Sequence, residues 1–475
     1  MAGYDDDEAY DARKRKRSQS PAKKGKRRED ENDQLPQPYN AKELQPAKRR
    51  AVSPSEQPRK QKRPGARARI SEAEREAIRQ RALDREKALE AQAHAQAESE
   101  RQRNINDVVT QHYNSVPERG RDWRRTDSKI KGLRAFNNWI KSCIIQKFSP
   151  DEDHTPGSRE QGVTSENQLL VLDIGCGKGG DLGKWQQAPQ PVELYVGLDP
   201  ADISIDQARE RYRQMASRGG GGRGGRGGYR RSSRLFEARF QVKDCYGESV
   251  EDIEIVRQVG FDTNPLSRRG FDVVSMMFCM HYAFETEQKA RMMLRNVAGS
   301  LKKGGRLIGC IPNSDVLGER VREFNQKAEE KKKQAADEPP ADPEEGELED
   351  GEAEQSAEWG NSIYRVRFPG KTPEDGVFRP AFGWKYNFFL DEAVEEVPEY
   401  VVPWEVLRAL AEDYNLELQY HKTFMEIWES EKDDEVLGPL SERMGVRERG
   451  AGRLLVSPEE MEAASFYTAF CFYKV

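Results

Sequence analysis

The sequence predicts a doubly wound α/β fold with a mostly parallel sheet, and three short apolar runs support this prediction. Residues 169–172 are a continuous apolar run that ends at a glycine-rich turn, the pattern of a buried parallel strand. Residues 193–198 and 271–277 are similar runs, and segments with helical spacing lie between them. Strands that alternate with helices in this way form a parallel sheet with helices on both faces.

Composition indicates that a large part of the 475 residues lies outside this core. Only 35% of the residues are hydrophobic, 34% are charged, and the mean hydropathy is -0.94. These values are low for a chain that is folded throughout. The 6 cysteines form no C-x-x-C pair, which fits a reducing compartment. We find no leader pattern and no long apolar run, so we expect a soluble intracellular protein without membrane contact.

Residues 1–103 are predicted to be a disordered basic tail that ends in a charged linker helix. Basic clusters at 13–17, 23–28 and 48–50 are separated by Ser, Pro and Gln. Such a segment cannot bury enough apolar surface to offset its ordering entropy. Nuclear import and attraction to RNA phosphates are functional interpretations of the clusters, and a merely solvated tail is the alternative. Residues 70–103 lack Gly and Pro and are rich in Ala, Glu, Arg and Gln, which predicts the helix.

Residues 104–475 are predicted to form one domain with two low-complexity insertions and a small lid. The first insertion, about 218–230, is rich in Arg and Gly; RNA contact and a plain peripheral loop are both open for it. The second, about 328–358, is acidic and contains prolines, so we expect a disordered loop. Aromatic-rich runs within about 360–400 predict a small antiparallel lid over the carboxyl edge of the sheet.

The glycine-rich loop after the first strand favours a zwitterionic cofactor over a dinucleotide. Its pattern from Asp173 to Gly180 is D-x-G-x-G-x-G-G, whereas the dinucleotide fingerprint is G-x-G-x-x-G. Asp173 would repel a pyrophosphate but can accept an ammonium group, which indicates S-adenosylmethionine rather than NAD. If the loop is considered alone, the alternative to a cofactor site is a glycine-rich turn that binds no ligand.

Acidic residues end the next two predicted strands as well. Asp199 follows the second strand and can accept both ribose hydroxyls of a nucleoside, the role that dinucleotide folds give to an acid about 20 positions after the loop. Asp244 follows residues 236–242 and is suitably placed to accept from an adenine amino group. An acid at each of three strand ends is far more specific than the loop alone.

These features resemble class I S-adenosylmethionine-dependent methyltransferases, and within that class the eukaryotic mRNA cap guanine-N7 methyltransferases. The motifs that carry the narrower resemblance are Phe136–Lys141, Gly175–Asp181, Phe278–Phe284, Pro312–Ser314 and Val397–Tyr400. The resemblance covers roughly residues 104–475. It implies a Rossmann-like methyltransferase sheet with a cap-binding lid. It also implies methyl transfer to N7 of the terminal guanosine of the GpppN cap, with S-adenosylhomocysteine as the second product.

The resemblance also implies two adjoining sets of site residues. The cofactor set comprises Asn137, Lys141, Asp173, Gly175, Asp199, Asp244 and Cys279. The cap set comprises Asn137, Lys178, Asp181, Arg209, His281, Tyr282, Pro312, Phe388, Glu399 and Tyr467.

Individual roles follow from the chemistry of these side chains. Lys141 is expected to bind the carboxylate of the cofactor, and Glu399 to accept from N1–H and the exocyclic amine of guanine. His281 is expected to donate to O6, while Tyr282, Phe388 and Tyr467 pack on or border the base. Lys178 and Arg209 or Arg213 are the candidate cations for the triphosphate.

The predicted reaction needs neither a general base nor a metal, because guanine N7 carries a free lone pair. Orientation by His281, Tyr282 and Glu399 is the expected source of catalysis, and in-line placement can supply about 7–11 kcal/mol. The resemblance implies the capped 5′ end of mRNA as substrate. It further implies the upstream capping enzymes, the phosphorylated tail of RNA polymerase II and importin as partners, and a nuclear location.

Two other functions remain open at this point. A catalytically idle cap- or RNA-binding scaffold would predict damage to the cofactor acids, yet Asp173, Asp199 and Asp244 are all present. A methyltransferase for another RNA position or for protein is the second. A 2′-O enzyme would need a lysine-rich constellation, which we do not find. An N6-adenine enzyme would need an Asn/Asp-Pro-Pro-aromatic motif where this sequence reads Phe-Cys-Met-His at 278–281.

Overall fold

The computed structural model describes residues 105–115, 123, 126–152, 154, 167–219, 235–261, 270–337 and 356–475. All of them belong to one of the two compact units of the chain, Leu89–Val475. The predicted basic tail and linker helix (1–103) lie outside the described residues. So do residues 220–230 of the Arg/Gly-rich insertion and 338–355 of the acidic insertion.

The main sheet has seven strands in the described part of the chain: β1 (Leu169–Ile174), β2 (Val192–Asp199), β3 (Glu237–Val242), β4 (Phe271–Met277), β5 (Leu301–Pro312), β10 (Leu416–Thr423) and β11 (Tyr467–Lys474). Their spatial order is β10-β11-β5-β4-β1-β2-β3. The pairings among β1 to β5 are all parallel, and β11 is antiparallel to both β5 and β10. The predicted mostly parallel sheet is confirmed.

Alternate residues of β1 enter two separate apolar cores, which shows that helices cover both faces of the sheet. Leu169 and Val171 belong to one core, whereas Leu170 and Leu172 belong to the other. All six residues of β1 are therefore buried, the burial expected of a central parallel strand. β4 is buried over all seven residues as well, and its bounds match the predicted run 271–277.

Ten labelled helices flank the two sheets within the described residues. They are α1 (Ile105–Ser115), α2 (Lys131–Phe148), α3 (Leu182–Gln186), α4 (Asp202–Gly219), α5 (Glu287–Ser300), α6 (Ser314–Asp337), α7 (Trp404–Asp413), α8 (Phe424–Glu431), α9 (Leu437–Met444) and α10 (Pro458–Ser465). Short helical turns at Val250–Asp252, Glu254–Val256 and Arg257–Phe261 precede β4, and a 3-10 helix, Met280–Glu285, follows it. None of the described helices is long and apolar enough to cross a membrane.

A second, four-stranded sheet forms the predicted lid. Its strands are β6 (Glu358–Gly360), β7 (Tyr364–Arg367), β8 (Lys385–Leu390) and β9 (Val394–Tyr400), in the order β6-β7-β8-β9. All three pairings are antiparallel, which confirms a small antiparallel sheet between residues 358 and 400. The sequence predicted β7 and β8 from their aromatic content, but it did not predict β6 or β9.

Two regions differ from the sequence-based prediction. α6 continues to Asp337, so residues 328–337, which we predicted as the start of a disordered loop, are helical. Ala, Glu, Lys and Gln dominate these residues, and all are strong helix formers, which explains the extension. The short helices α8, α9 and α10 were not predicted, because each is only eight residues long.

The start of α2 is held by a carboxylate from α10. Glu460 completes a capping box with Ser457 and also accepts from the backbone N–H of Leu133 at 3.0 Å. The approach is so close that a Cβ at position 132 would lie 2.4 Å from Glu460 Oε2, so a larger residue there would displace this carboxylate. This one side chain therefore satisfies two helix starts and anchors the helix that carries Asn137 and Lys141.

We predict that Glu460→Ala lowers the free energy of unfolding by about 1–3 kcal/mol, because it leaves buried backbone donors without an acceptor. Urea unfolding followed by circular dichroism measures the change. Glu417→Ala, at an exposed position of β10, is the control and should change stability by less than about 0.5 kcal/mol. Equal stability of the two variants would contradict this account of the α2 anchor.

Candidate active site

A cavity of about 310 Å³ lies at the carboxyl ends of β1, β2 and β4. β1 and β4 are adjacent, and the strand order reverses between them, which is where open α/β sheets bind ligands. Four groups of residues line the cavity: the strand ends and glycine loop (Gly175, Gly177, Lys178, Asp199, Cys279), α1 (Val109, Thr110, Tyr113), α2 (Arg134), and the lid turn (Glu392, Ala393).

The glycine loop lets the backbone approach the cavity and ties it to Asp199. Gly175 and Gly177 have φ of 72° and 51°, in the left-handed region that favours glycine. Gly177 N–H donates to Asp199 Oδ2 at 2.9 Å, and Ala201 N–H donates to Oδ1 at 2.9 Å. Burial raises the pKa of Asp199, and these two donors oppose the rise. The carboxylate is thus held at the cavity wall in a fixed orientation.

A buried ion network lies beside the loop at the start of α3. Asp181 Oδ1 is 2.8 Å from Lys141 Nζ and 2.6 Å from Lys184 Nζ. Burial alone would raise the pKa of Asp181, but the two lysines hold it below its ordinary value. Lys184 also donates to Asn138 Oδ1 at 2.7 Å. Within the described residues, Asn137 Oδ1 is buried and accepts no hydrogen bond.

Aromatic rings form the wall that joins the cavity to the final strand. Phe278 follows β4 with φ of 62°, a backbone conformation that is strained for a bulky residue and is typical of functional sites. Its ring lines the cavity and meets the Tyr467 ring edge-to-face at 4.9 Å. β11 therefore brings Tyr467, one of the residues predicted for the cap set, next to the cavity wall.

A buried imidazole and carboxylate lie beyond the same wall. The ring of Tyr282, which lines the cavity, is 4.3 Å from the ring of His281. His281 Nε2 is 3.5 Å from Glu399 Oε1, and neither nitrogen of His281 has a hydrogen-bond partner among the described residues. The Tyr386 hydroxyl donates to Glu399 Oε2 at 2.7 Å.

Burial favours the neutral form of both members of this pair. It lowers the pKa of His281 to about 3 and raises the pKa of Glu399 to about 8, although the Tyr386 hydroxyl opposes the second shift. The short His281–Glu399 distance is therefore a contact between two polar groups with unused hydrogen-bonding capacity, rather than an ion pair. Such a pair is ready to exchange hydrogen bonds with a ligand that brings its own donors and acceptors.

Comparison with known proteins identifies the family to which this geometry belongs. The model of the mRNA (guanine-N(7))-methyltransferase domain matches residues 96–336 and 347–475. The chain belongs to this family. An mRNA cap guanine-N(7) methyltransferase of Pyricularia oryzae is 70% identical over 454 residues, which are 92% of this chain and 91% of that protein.

More distant fungal relatives with the same name match as well. The protein of Aspergillus clavatus is 57% identical over an alignment of 491 positions, which covers 97% of this chain and 86% of the relative. The protein of Schizosaccharomyces pombe is 41% identical over 371 residues, or 78% of this chain and 83% of the relative. The family predicted from the sequence is thereby confirmed.

Five of the residues predicted for a cap methyltransferase site line the cavity directly: Gly175, Lys178, Asp199, Cys279 and Tyr282. Lys141 and Asp181 lie in the ion network, His281 and Glu399 form the buried pair, and Tyr467 lies at the aromatic wall, as described above. Asn137 lies four residues before Lys141 on α2, and its Oδ1 has no hydrogen-bond partner among the described residues. Pro312 ends β5 directly opposite Tyr467.

Four predicted residues have other partners in the described structure and do not line the cavity. The Asp173 carboxylate accepts from the Tyr195 hydroxyl at 2.6 Å, and burial and Asp181 raise its pKa to about 7. Asp244 accepts from two backbone N–H groups of its own turn. The remaining two are Arg209, which donates to the Phe240 carbonyl at 2.8 Å, and Phe388, which stacks on Phe466 at 5.7 Å. Their assignment to the site stays a prediction.

The sequence analysis missed the walls that come from α1 and the lid turn. Tyr113 lines the cavity, and its hydroxyl is 3.2 Å from that of Tyr282. Asn114 holds α1 against the start of α4, with 2.8 Å to Asp202 and 3.2 Å to the N–H of Ile203. The His-Tyr-Asn motif at 112–114 was the available signal. Glu392 of the lid turn had none, because its position depends on the tertiary fold.

We predict that Glu399→Gln stabilises the protein increasingly as the pH rises from about 4.5 to 8. The unfolded carboxyl loses its proton above its ordinary pKa of 4.5, whereas the folded one keeps it until about 8, so the wild type loses stability across this interval. Glutamine does not titrate, and the difference in unfolding free energy should grow by roughly 2–5 kcal/mol. Urea titrations at pH 5, 7 and 8.5 measure it.

Glu396→Gln is the matched control, since Glu396 is exposed on the same strand. Its difference from the wild type should be nearly independent of pH. If the Glu399→Gln difference were also constant from pH 5 to 8.5, burial would not be shifting the Glu399 carboxyl.

Proposed function

We propose that this chain transfers a methyl group from S-adenosylmethionine to N7 of the terminal guanosine of capped mRNA. The observation that carries the proposal is a cavity at the switch point of the sheet that adjoins a buried glutamate. The cavity ends in the acid Asp199, as a nucleoside cofactor requires, and Glu399 offers the acceptor that guanine requires. Membership of the cap methyltransferase family supports the same pairing of sites.

The residues around the cavity fit S-adenosylmethionine better than a dinucleotide. Its volume of about 310 Å³ is within the range of small-molecule sites. Asp199 presents a carboxylate for the ribose, and a Cβ on Gly177 would meet nothing within 4 Å, so the loop leaves room for a ligand. Asp181 occupies the start of α3, where a pyrophosphate would otherwise bind. When bound, S-adenosylmethionine supplies an electrophilic methyl group on a sulfonium.

Lys141 is the proposed partner for the carboxylate of the cofactor. Its ammonium is held by Asp181 at 2.8 Å and lies 5.9 Å from the centre of the Phe278 ring at the cavity wall. Asn137 is one turn away on the same helix, and its unpartnered Oδ1 offers a further acceptor. The middle of α2 thereby supplies both a cation and an amide for the methionine side of the site.

Glu399 and His281 are proposed to read the guanine edge. A carboxylate can accept from N1–H and from the exocyclic amine together. His281 is neutral, so one ring nitrogen carries a hydrogen that can be donated to O6. Since donors from the base favour the charged carboxylate, guanine binding should draw the proton from Glu399. The base thus converts a neutral pair into a charged, hydrogen-bonded one.

The same carboxylate assists the chemical step through its charge. The lone pair of N7 attacks the methyl carbon, and the guanine ring gains positive charge as the new bond forms. An ionised Glu399 on the opposite edge of the base stabilises that charge in a site from which water is excluded. Glu399 is 5% exposed and His281 is 2% exposed, so the environment is dry. No proton has to leave N7, and orientation supplies the rest of the catalysis.

Lys178 is the leading candidate for a contact with the cap triphosphate. It lies in the glycine loop and lines the cavity. Arg209, another of the predicted cations, donates to the Phe240 carbonyl and to Asp206, so phosphate would have to displace these contacts. Arg213, the third, pairs with Glu210. Lys178 is the predicted cation that lines the cavity, and this position fits the role better.

We also propose that the chain acts in the nucleus. The basic clusters of residues 1–103 support this proposal, together with import by importin and association with the capping enzymes and the phosphorylated polymerase tail. These clusters lie outside the described residues. A reporter fused to residues 1–103 that stayed in the cytoplasm would contradict the import proposal.

We predict that Glu399→Ala and Asp199→Ala both abolish N7 methylation, for different reasons. Loss of Glu399 removes two charge-assisted hydrogen bonds, so transfer of label from S-adenosylmethionine to GpppG-capped RNA should fall at least about 100-fold while cofactor binding persists. Loss of Asp199 should weaken cofactor binding itself. Calorimetric titration with S-adenosylmethionine separates the two effects.

Glu396→Ala serves as the control and should retain wild-type activity, because Glu396 is exposed on the lid. Label on uncapped RNA or on protein would overturn the substrate assignment. Wild-type cofactor binding without transfer to any acceptor would instead favour a binding scaffold.

A further inference from the structure

Tyr386 and Glu399 are directly opposite residues on neighbouring strands of the lid. They are paired in the register of β8 and β9. The Tyr386 hydroxyl donates to Glu399 Oε2 at 2.7 Å, and both side chains are buried. Among the described residues, Tyr386 is the hydrogen-bond donor to this carboxylate, because the nearby His281 nitrogens make no hydrogen bond.

The position of the Tyr386 hydroxyl is determined by the packing of its ring. The ring is fully buried and contacts the rings of Phe368 and Phe466 at centroid distances of 5.6 Å and 6.4 Å. It does not line the cavity, so it is not available to stack on a base. Burial and the neighbouring Glu399 raise the pKa of Tyr386 well above its ordinary value, which keeps the phenol a donor at every pH of interest.

We propose that Tyr386 is a positioning residue for cap recognition, whose hydroxyl holds Oε2 of Glu399, orients the carboxylate toward the guanine edge and favours its ionisation when the base binds. The inference rests on the proposed role of Glu399 as the guanine acceptor. With Oε2 held by the phenol, Oε1 is left on the side of His281, where the base must enter. Tyr386 thereby acts on the reaction through Glu399, without contact with the reacting atoms.

The physical basis is the opposition between burial and hydrogen bonding. Burial disfavours the charged carboxylate, while a donor to the charged form favours it. Tyr386 is the group that opposes the effect of burial on the pKa of Glu399. Without the hydroxyl, a larger fraction of the enzyme would carry a protonated Glu399 at neutral pH. That form offers guanine one acceptor fewer and no negative charge.

The test is the pH profile of Tyr386→Phe, which removes the hydroxyl and keeps the ring. We expect the acid limb of kcat/KM for GpppG-capped RNA to move by about one to two pH units toward alkaline pH. At pH 7 this corresponds to a loss of about 10- to 100-fold, which should shrink to about 2- to 10-fold at pH 9. The dissociation constant for S-adenosylmethionine should stay unchanged.

Tyr364→Phe is the matched control on the same sheet. Tyr364 is also a buried lid tyrosine, and its hydroxyl is 3.1 Å from a glutamate, Glu462, that lies away from the cavity. Removing its hydroxyl should leave the pH profile in place. A uniform loss of kcat/KM at all pH values in Tyr386→Phe, or no loss at all, would overturn the proposal, since a purely structural role predicts no shift of the limb.

Two further measurements keep the outcome decisive. In a Glu399→Gln background, Tyr386→Phe should cause no pH-dependent loss of kcat/KM, because the titrating carboxyl is gone.

If Tyr386→Phe fails to fold, 3-fluorotyrosine at position 386 replaces it in the test. Its hydroxyl is a stronger donor, so it should move the acid limb of kcat/KM toward acid pH, and an unmoved limb would overturn the proposal. A fully active Glu399→Ala enzyme would instead refute the proposed role of Glu399, which makes the two failures distinguishable.

Discussion

The reversal of strand order at β1 and β4 is the constraint on which the rest of this structure depends. Because β2 and β4 lie on opposite sides of β1, the chain leaves the two central strands toward different helices, and a space remains above their carboxyl ends. The glycine loop follows β1, Asp199 ends β2, and Phe278 follows β4. The cofactor site is thus a consequence of topology, and the side chains at the strand ends determine which ligand enters it.

Buried charge is the second constraint, and the protein handles it in two different ways. Asp181 is buried with two lysines, so it stays ionised and the network is satisfied before any ligand arrives. Glu399 is buried with a single phenol donor and an imidazole that lacks partners among the described residues, so its neutral form is favoured until a ligand supplies donors. The first arrangement builds a rigid site, whereas the second leaves unmet hydrogen-bonding capacity where the base is proposed to bind.

Much of this architecture could be predicted from the sequence, and the reasons are local. β4 and the glycine loop were predictable because a buried parallel strand is continuously apolar and the turn requires glycine. Asp199 was predictable because it comes directly after the β-rich run 193–198, so the local sequence places it at the end of a strand. β9 was not predicted, since its first residues at 394–397 read Val-Glu-Glu-Val and contain no aromatic side chain. The α6 extension was missed because charge density was taken as disorder, although the residues are helix formers.

The site residues show where such reasoning ends. A sequence indicates where a residue lies along its strand, but it does not indicate which group the side chain contacts in the folded protein. Asp173 and Arg209 have suitable types and positions, yet the first bonds to Tyr195 inside the sheet and the second to a backbone carbonyl. Conversely, the walls from α1 and the lid turn come from sequence positions far from the strand ends that they cover.

The division of the substrate site between two sheets has a mechanical consequence. His281 and Tyr282 follow β4 of the main sheet, whereas Glu399 and Tyr386 belong to the lid. The proposed recognition of the guanine edge therefore requires the lid to be in register with the core, and the lid turn at Glu392 contributes to that register. Its carboxylate accepts from Ser128 Oγ at 2.5 Å and from the Lys129 N–H at 3.0 Å, just before α2. The helix that carries Asn137 and Lys141 is thus tied to the sheet that carries Glu399, so correct placement of either ligand favours correct placement of the other.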